Sequence, residues 1–231
     1  MIAITFALPT ESSDLRRRLR DARDDGDFIS GSIHDRAVAI LHTGIGAKNC
    51  SARMEALLHK ARPRVVISSG FAGAVAEELQ VGDLVLAENF SDQDLLTRAE
   101  PVLRDLKPRV AKLFTAASIV DSTAERNQIA RESGAAAVDM ETGAIFGICK
   151  AHGVQLLSLR AISDTPKRPF PAPPDVLFDI ERQQPSYGRL FAYLLRHPAS
   201  ISRLLGFGRE INRVRAKLTG AIVALVRELD W

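Results

Sequence analysis

Along this chain, short β-branched apolar runs alternate with stretches whose apolar residues recur at helical spacing. The runs predict strands at Ile2–Ala7, Val38–His42, Val65–Ser69, Asp83–Ala87, Ala136–Asp139 and Leu156–Ile162. Several are apolar on both faces, as expected of strands buried in the middle of a sheet. Between them the spacing predicts helices near Glu11–Arg20, Ala47–Lys60, Leu103–Phe114, Glu125–Glu132 and Glu141–His152. Such alternation implies an α/β fold of three layers, with a mixed, largely parallel twisted central sheet flanked by helices. From Gln183 the pattern changes. Tyr187, Leu190, Phe191, Leu194 and Leu195 keep the spacing of an amphipathic helix, and Pro198 interrupts it. Ser200 is an N-cap residue type, and Ile211, Val214, Leu218, Ile222 and Leu225 mark a further helix. The Pro-rich run Pro166–Pro174 reads as a loop. Residues 1–181 are therefore expected to form a catalytic domain and residues 182–231 a helical C-terminal extension.

Charge sharpens that division. Residues 1–181 carry 22 Lys and Arg against 25 Asp and Glu, whereas residues 182–231 carry 9 against 3. The basic balance belongs to the tail, which lacks the interleaved aromatics of a nucleic-acid surface. No run approaches the roughly 18 apolar residues of a membrane span, and the amino terminus lacks the basic start of a signal peptide. Cys50 and Cys149 sit in apolar stretches without CxxC spacing, as reduced core thiols do. The chain is expected in the cytoplasm.

In a sheet of this kind ligands gather at the carboxyl ends of the strands. Leu8–Glu11, Thr43–Gly46, Gly70–Gly73, Asp139–Glu141 and Ser163–Asp164 occupy such places. The two glycine segments are expected to open helices and bring backbone N–H groups close to a ligand, or to be tight turns only. Neither matches the GxGxxG or P-loop pattern, which argues against nicotinamide and nucleoside-triphosphate chemistry. Asp164 follows a flanked apolar strand. Its carboxyl is expected in a partly dry pocket, suited to a general acid, or as a turn cap before Pro166. Glu141 begins a helix whose amides are expected to hold its carboxylate, free to accept two hydrogen bonds from a vicinal diol. Its other reading is a simple first-turn charge, and Asp139 reads as the helix cap. Glu11 could activate water or be a solvated first-turn acid. The five histidines show no metal spacing, His42 reads as a core residue, and no GxSxG elbow appears.

The order of these segments carries a resemblance. His42–Leu58 (HTGIGAKNCSARMEALL), Val65–Phe90 (VVISSGFAGAVAEELQVGDLVLAENF), Ala135–Ile145 (AAAVDMETGAI) and Leu156–Pro166 (LLSLRAISDTP) together resemble the methylthioadenosine/S-adenosylhomocysteine nucleosidase and purine nucleoside phosphorylase superfamily. The resemblance implies cleavage of the purine–ribose bond with release of adenine and no cofactor or metal. It implies Asp164 as the acid at purine N7, with Ser163 orienting it, and Glu141 gripping the 2′- and 3′-hydroxyls, with Met140 lining the sugar. Glu11 would activate the attacking water. Gly70, Phe71 and Ala72 fall in the substrate-binding segment, and the backbone near Ile119 and Val120 would line the base. The family also implies a homo-oligomer, with a dimer favoured, whose partner is a small nucleoside and not nucleic acid.

Two departures stand out. Phe71 occupies a position where the nucleosidases carry a small polar residue, so a benzyl group narrows the site or shields it from water. The acidic stretch of the hydrolases is reduced to Pro9-Thr10-Glu11, and the hexameric phosphorylases' Gly-Asp-Pro-x-Arg motif is absent. These motivate an alternative, a nucleoside-binding protein without catalysis. The run Ser118–Arg126, the VDMET run and the basic C-terminal helices also resemble the hopanoid-associated phosphorylases, which implies adenosylhopane as substrate and phosphate as nucleophile. In that branch the tail would meet a membrane surface peripherally. Otherwise it packs on the domain or on a second subunit.

Overall fold

The computed structural model describes residues 1–173 and 200–229, together with Val176, Phe178, Asp179, Gln184, Pro185, Arg189, Leu190, Tyr193, Arg196 and His197. In chain order the main elements are β1 (Ile2–Phe6), α1 (Pro9–Arg16), β2 (Arg20–Asp24), β3 (Ile29–Ile33), β4 (Arg36–His42), α2 (Ala47–Ala61), β5 (Val65–Ala74) and β6 (Leu84–Ala87). There follow α3 (Gln93–Val102), β7 (Arg109–Ala111), β8 (Leu113–Thr115), α4 (Thr123–Ser133), β9 (Ala137–Asp139), α5 (Thr142–Ala151), β10 (Gln155–Asp164) and α6 (Ser200–Glu228). The sheet runs β2-β3-β4-β1-β5-β10-β6-β7, with β9 pairing both β5 and β8. Its centre, β4-β1-β5-β10, is parallel. The β2–β3–β4 edge and the β10–β6 and β5–β9 pairs are antiparallel.

Alternation of side chains explains the layers. Ile2, Ile4 and Phe6 point to one face, where they pack with Leu15 of α1, Leu95 and Leu96 of α3, and Val214, Leu218, Ile222 and Leu225 of α6. Ala3, Leu41 and Val66 point to the other, against Met54 and Leu57 of α2 and Ile145 and Cys149 of α5. Cys50 and Cys149 are free and buried, and burial pushes both thiols up to about 12.

Several expectations are corrected. No helix occupies Leu103–Phe114. A 3-10 turn at Arg104–Leu106 ends in Lys107, whose φ is 50°, and Pro108 leads into β7 and β8. The helix lies earlier, as α3, where the Asp92 side chain accepts from Asp94 N at 3.2 Å and caps the first turn. The first helix starts at Pro9 and stops at Arg16, because Arg20 already belongs to β2. β2 and β3 went unpredicted: all five β2 residues are exposed, a charged edge strand without alternation. Gly70–Gly73 opens no helix but continues β5. The carboxyl-terminal reading of two stretches after Pro198 becomes one 29-residue helix beginning at Ser200. The amphipathic pattern at Tyr187–Leu195 and the boundary expected after residue 181 lie largely outside the described residues. α6 is tied down by more than its apolar face: Arg36 Nη1 donates to the Leu229 carbonyl at 2.6 Å and Lys217 Nζ to that of Gly82 at 2.9 Å. Among the described residues no helix is long and apolar enough to cross a membrane.

Candidate active site

At the carboxyl ends of β1, β5, β9 and β10 lies a largely apolar cavity of about 260 Å³. Glu11, Glu141 and Asp164 all border it, although 130 residues separate the first two in sequence and the third sits at the end of β10. Met140, Ser163, Phe71, Ala72, Ile119 and Val120 also line it. Gly70 does not. It lies behind, against a small separate void shared with Glu11, Glu141 and Arg160.

Glu11 is buried in the first turn of α1, where Pro9 supplies a preformed φ at the helix start. Its Oε2 accepts from Leu8 N at 2.9 Å and its Oε1 from Phe71 N at 3.1 Å, so one carboxylate joins the β1–α1 turn to β5. The approach requires glycine at 70, where φ is 147° and a Cβ would stand 3.2 Å from Glu11 Oε1. Burial raises the Glu11 pKa, against the two backbone N–H bonds and the more distant Arg160. The reading of Glu11 as a solvated first-turn acid is thereby corrected.

Glu141 is the N-cap residue of α5, but the amides of its own helix do not hold it. Asp139 takes that task, accepting from Thr142 N at 3.2 Å. Glu141 Oε1 instead accepts from Gly46 N at 3.0 Å, across from the β4–α2 turn. Burial first, then repulsion from Asp139 and Glu11, pushes its carboxyl up to about 7. Asp139 has a second role. Arg160 of β10 donates to it through Nε at 3.0 Å, and Thr115 Oγ1 does so at 3.0 Å. Arg160 Nη2 further donates to Ser68 Oγ at 2.8 Å and Thr142 Oγ1 at 2.5 Å. The floor under the Glu11–Glu141 side is thus a polar network centred on Asp139 and Arg160, beside which the Thr5 and Ser69 hydroxyls have no partner among the described residues.

On the opposite wall β10 carries a bulge between Ile162 and Asp164, a device that re-aims side chains near a site. Ser163 Oγ donates to Asp164 Oδ1 at 2.6 Å. The partly dry pocket expected for Asp164 is observed, at 1% exposure, and Arg126 of α4, a partner the sequence did not indicate, donates Nη2 to its Oδ2. Arg126, itself 1% exposed, also donates to the carbonyls of Ala74 at 2.9 Å and Val120 at 3.0 Å. Its Nε has no acceptor among the described residues. A Cβ at position 73 would come within 3.2 Å of both Arg126 Nη1 and Asp164 Oδ2, so Gly73 gives the pair its space.

Sequence reasoning missed Arg126 because it sits within a helix, away from any strand end. Its signal was periodic: Arg126 shares the buried face of α4 with Ile129. It also missed Phe170, Phe207, Ile211 and Arg215, which close the cavity from the loop after β10 and from α6. Arg215 is fixed by Asp14 Oδ2 at 3.0 Å.

The chain has counterparts among known proteins. The pattern of the phosphorylase superfamily matches residues 1–105 and 88–196. The 5′-methylthioadenosine/S-adenosylhomocysteine nucleosidases of Staphylococcus haemolyticus and Staphylococcus aureus are 26% and 27% identical to this chain over 196 residues, covering 71% of it and 86% of each relative. The same fold is seen in the S. pneumoniae nucleosidase bound to the transition-state inhibitor MT-ImmA, with a TM-score of 0.76, 20% identity and 99% of each chain covered. A futalosine hydrolase of Helicobacter pylori aligns with a TM-score of 0.61 and 19% identity over 71% of this chain and 87% of its own.

Proposed function

Because the chain belongs to the phosphorylase superfamily, we propose that it cleaves the N-glycosidic bond of an adenine nucleoside with water as the nucleophile. The observation that carries the reading is the convergence of Asp164, Glu141 and Glu11 on one cavity. Breaking the C1′–N9 bond leaves its electron pair on the purine and positive charge on the sugar. Asp164 gives a proton to purine N7, which makes the base a neutral leaving group. A positioned acid of this kind is worth about 10²–10⁴-fold in rate. Glu141, ionised, accepts the 2′- and 3′-hydroxyls and holds the sugar between base and nucleophile. Glu11 takes a proton from the water that attacks C1′, and its raised pKa makes it the stronger base. Met140 packs along the sugar, and Val120 and Ile119 along the base.

Water is favoured over phosphate by the charges already present. The arginines at or behind the cavity are each bound to a carboxylate: Arg126 to Asp164, Arg160 to Asp139 and Arg215 to Asp14. A phosphate dianion beside the sugar would face Glu11 and Glu141, while a water needs only the acceptor that Glu11 offers. The test is adenine release from methylthioadenosine, S-adenosylhomocysteine, adenosine and adenosylhopane, each with and without phosphate. The free sugar forms from at least one of them in phosphate-free buffer. Release that occurs only with phosphate, as a sugar phosphate, contradicts hydrolysis; tight binding without release on the whole panel contradicts catalysis.

A further inference from the structure

Asp164 faces a buried guanidinium, an arrangement that the proposed proton transfer does not by itself require. We propose that Arg126 is the positioning residue of the base half of the site: it stabilises the Asp164 carboxylate that appears as the proton leaves for purine N7, and fixes the Val120 backbone beside it. The inference rests on the nucleosidase reading above. Its support is geometric. One side chain from the first turn of α4 donates to Asp164 of β10, to the Ala74 carbonyl at the end of β5 and to the Val120 carbonyl in the segment before α4. Two of those acceptors, Asp164 and Val120, line the wall where the base would lie, and a Cβ at Gly73 would crowd both members of the pair at 3.2 Å.

The step balances as follows. Asp164 O–H transfers its proton to N7 while the C1′–N9 electron pair moves onto the purine, and Asp164 is left as an anion. Arg126 is already in place beside the oxygen on which that charge develops, so nothing has to reorganise during the reaction. Fixed donors of this kind, when removed singly, cost about 10²–10³-fold in turnover. Ser163 Oγ, at 2.6 Å from Oδ1, holds the other oxygen. Other charged groups on the cavity are Glu11 of α1, Asp139 at the end of β9, Glu141 of α5 and Arg215 of α6, with Arg160 behind Asp139. Among the charged groups lining it, Arg126 is the one hydrogen-bonded to Asp164.

The experiment compares Arg126→Gln, Arg126→Lys, Asp164→Asn and the double variant Arg126→Gln/Asp164→Asn in adenine release. Arg126→Gln lowers kcat by about 10²–10³-fold with KM changed much less. Arg126→Lys keeps the charge and recovers most of that kcat. Because Arg126 acts through Asp164, the double variant is no slower than Asp164→Asn alone. Multiplicative losses in the double variant, or a loss in Arg126→Gln confined to KM, overturn the assignment. If Arg126→Gln does not fold, Arg126→Lys carries the test: it overturns the proposal if it folds and loses as much kcat as Asp164→Asn. Full activity in Asp164→Asn would instead sink the underlying nucleosidase reading, whatever Arg126 does.

Discussion

The two halves of the cavity use the same functional group in opposite electrostatic settings. On the base side one carboxylate, Asp164, lies against a guanidinium from which solvent is excluded. On the sugar side two carboxylates, Glu11 and Glu141, rest chiefly on backbone N–H groups, while the nearest guanidinium, Arg160, is taken up by Asp139. A backbone N–H fixes a carboxylate's place without cancelling its charge. A guanidinium does both. Burial therefore raises Glu11 and Glu141, the latter to about 7. Three acids in one cleft thus stand in unlike surroundings, one against a guanidinium and two against backbone N–H groups.

That contrast can be broken at its base side first. Asp164→Asn keeps the shape and removes the proton, and is expected to lower the rate of adenine release by about 10²–10⁴-fold with substrate binding largely retained. A loss confined to KM would assign Asp164 to binding alone. The sugar side has its own test in Arg160→Gln, which leaves Asp139 buried without its cation. Breaking such a pair costs about 3–5 kcal/mol, read as a lower urea midpoint at unchanged slope; a midpoint within experimental scatter of the parent would mean that Asp139 is held by Thr115 and Thr142 alone.

How far the sequence foretold this arrangement depends on the kind of signal. The central strands were legible because residues such as Ile2–Phe6 are buried throughout and are apolar at every position but Thr5. β2 left none, since every residue is exposed and charged or small, and only pairing with β3 makes it a strand. α3 was obscured by Pro101 within its last turn and by apolar positions that crowd at Leu95 and Leu96. Of the site, the three acids were legible as strand-end residues in a familiar order. Their electrostatic partners were not, because Arg126 and Gly46 reach the site from other elements, and one sequence carries no record of which helix faces which strand. The walls supplied by Phe207 and Ile211 of α6 were hidden for the same reason.

The next contrast is in pH. Glu141 must be ionised to accept two hydroxyls, and its carboxyl is raised to about 7. KM is thus expected to climb as pH falls through 7, approaching about tenfold per pH unit, as for any ligand needing one deprotonated group. A KM that is flat from pH 8 to pH 5 would contradict the assignment of Glu141 to the diol. The smallest effect concerns the empty protein. A carboxyl raised on folding binds its proton more tightly in the native state, so its contribution to stability falls as pH rises from the ordinary 4.5 to about 7. Glu141→Gln removes that charge while keeping the acceptor for Gly46. It should raise Tm at pH 8 by about 2–4 °C for each kcal/mol recovered and leave Tm unchanged below pH 4.5, while activity is lost. A Tm that falls at pH 8 would show that Glu141 stabilises the ligand-free fold.

The most direct measurement is a crystal structure of the protein with an adenine nucleoside analogue whose glycosidic bond resists cleavage. The account predicts Asp164 within hydrogen-bond distance of purine N7, Glu141 accepting from both ribose hydroxyls, and an ordered water between Glu11 and C1′. A nucleoside bound with its base away from Asp164, or with its diol held by a group other than Glu141, would contradict it.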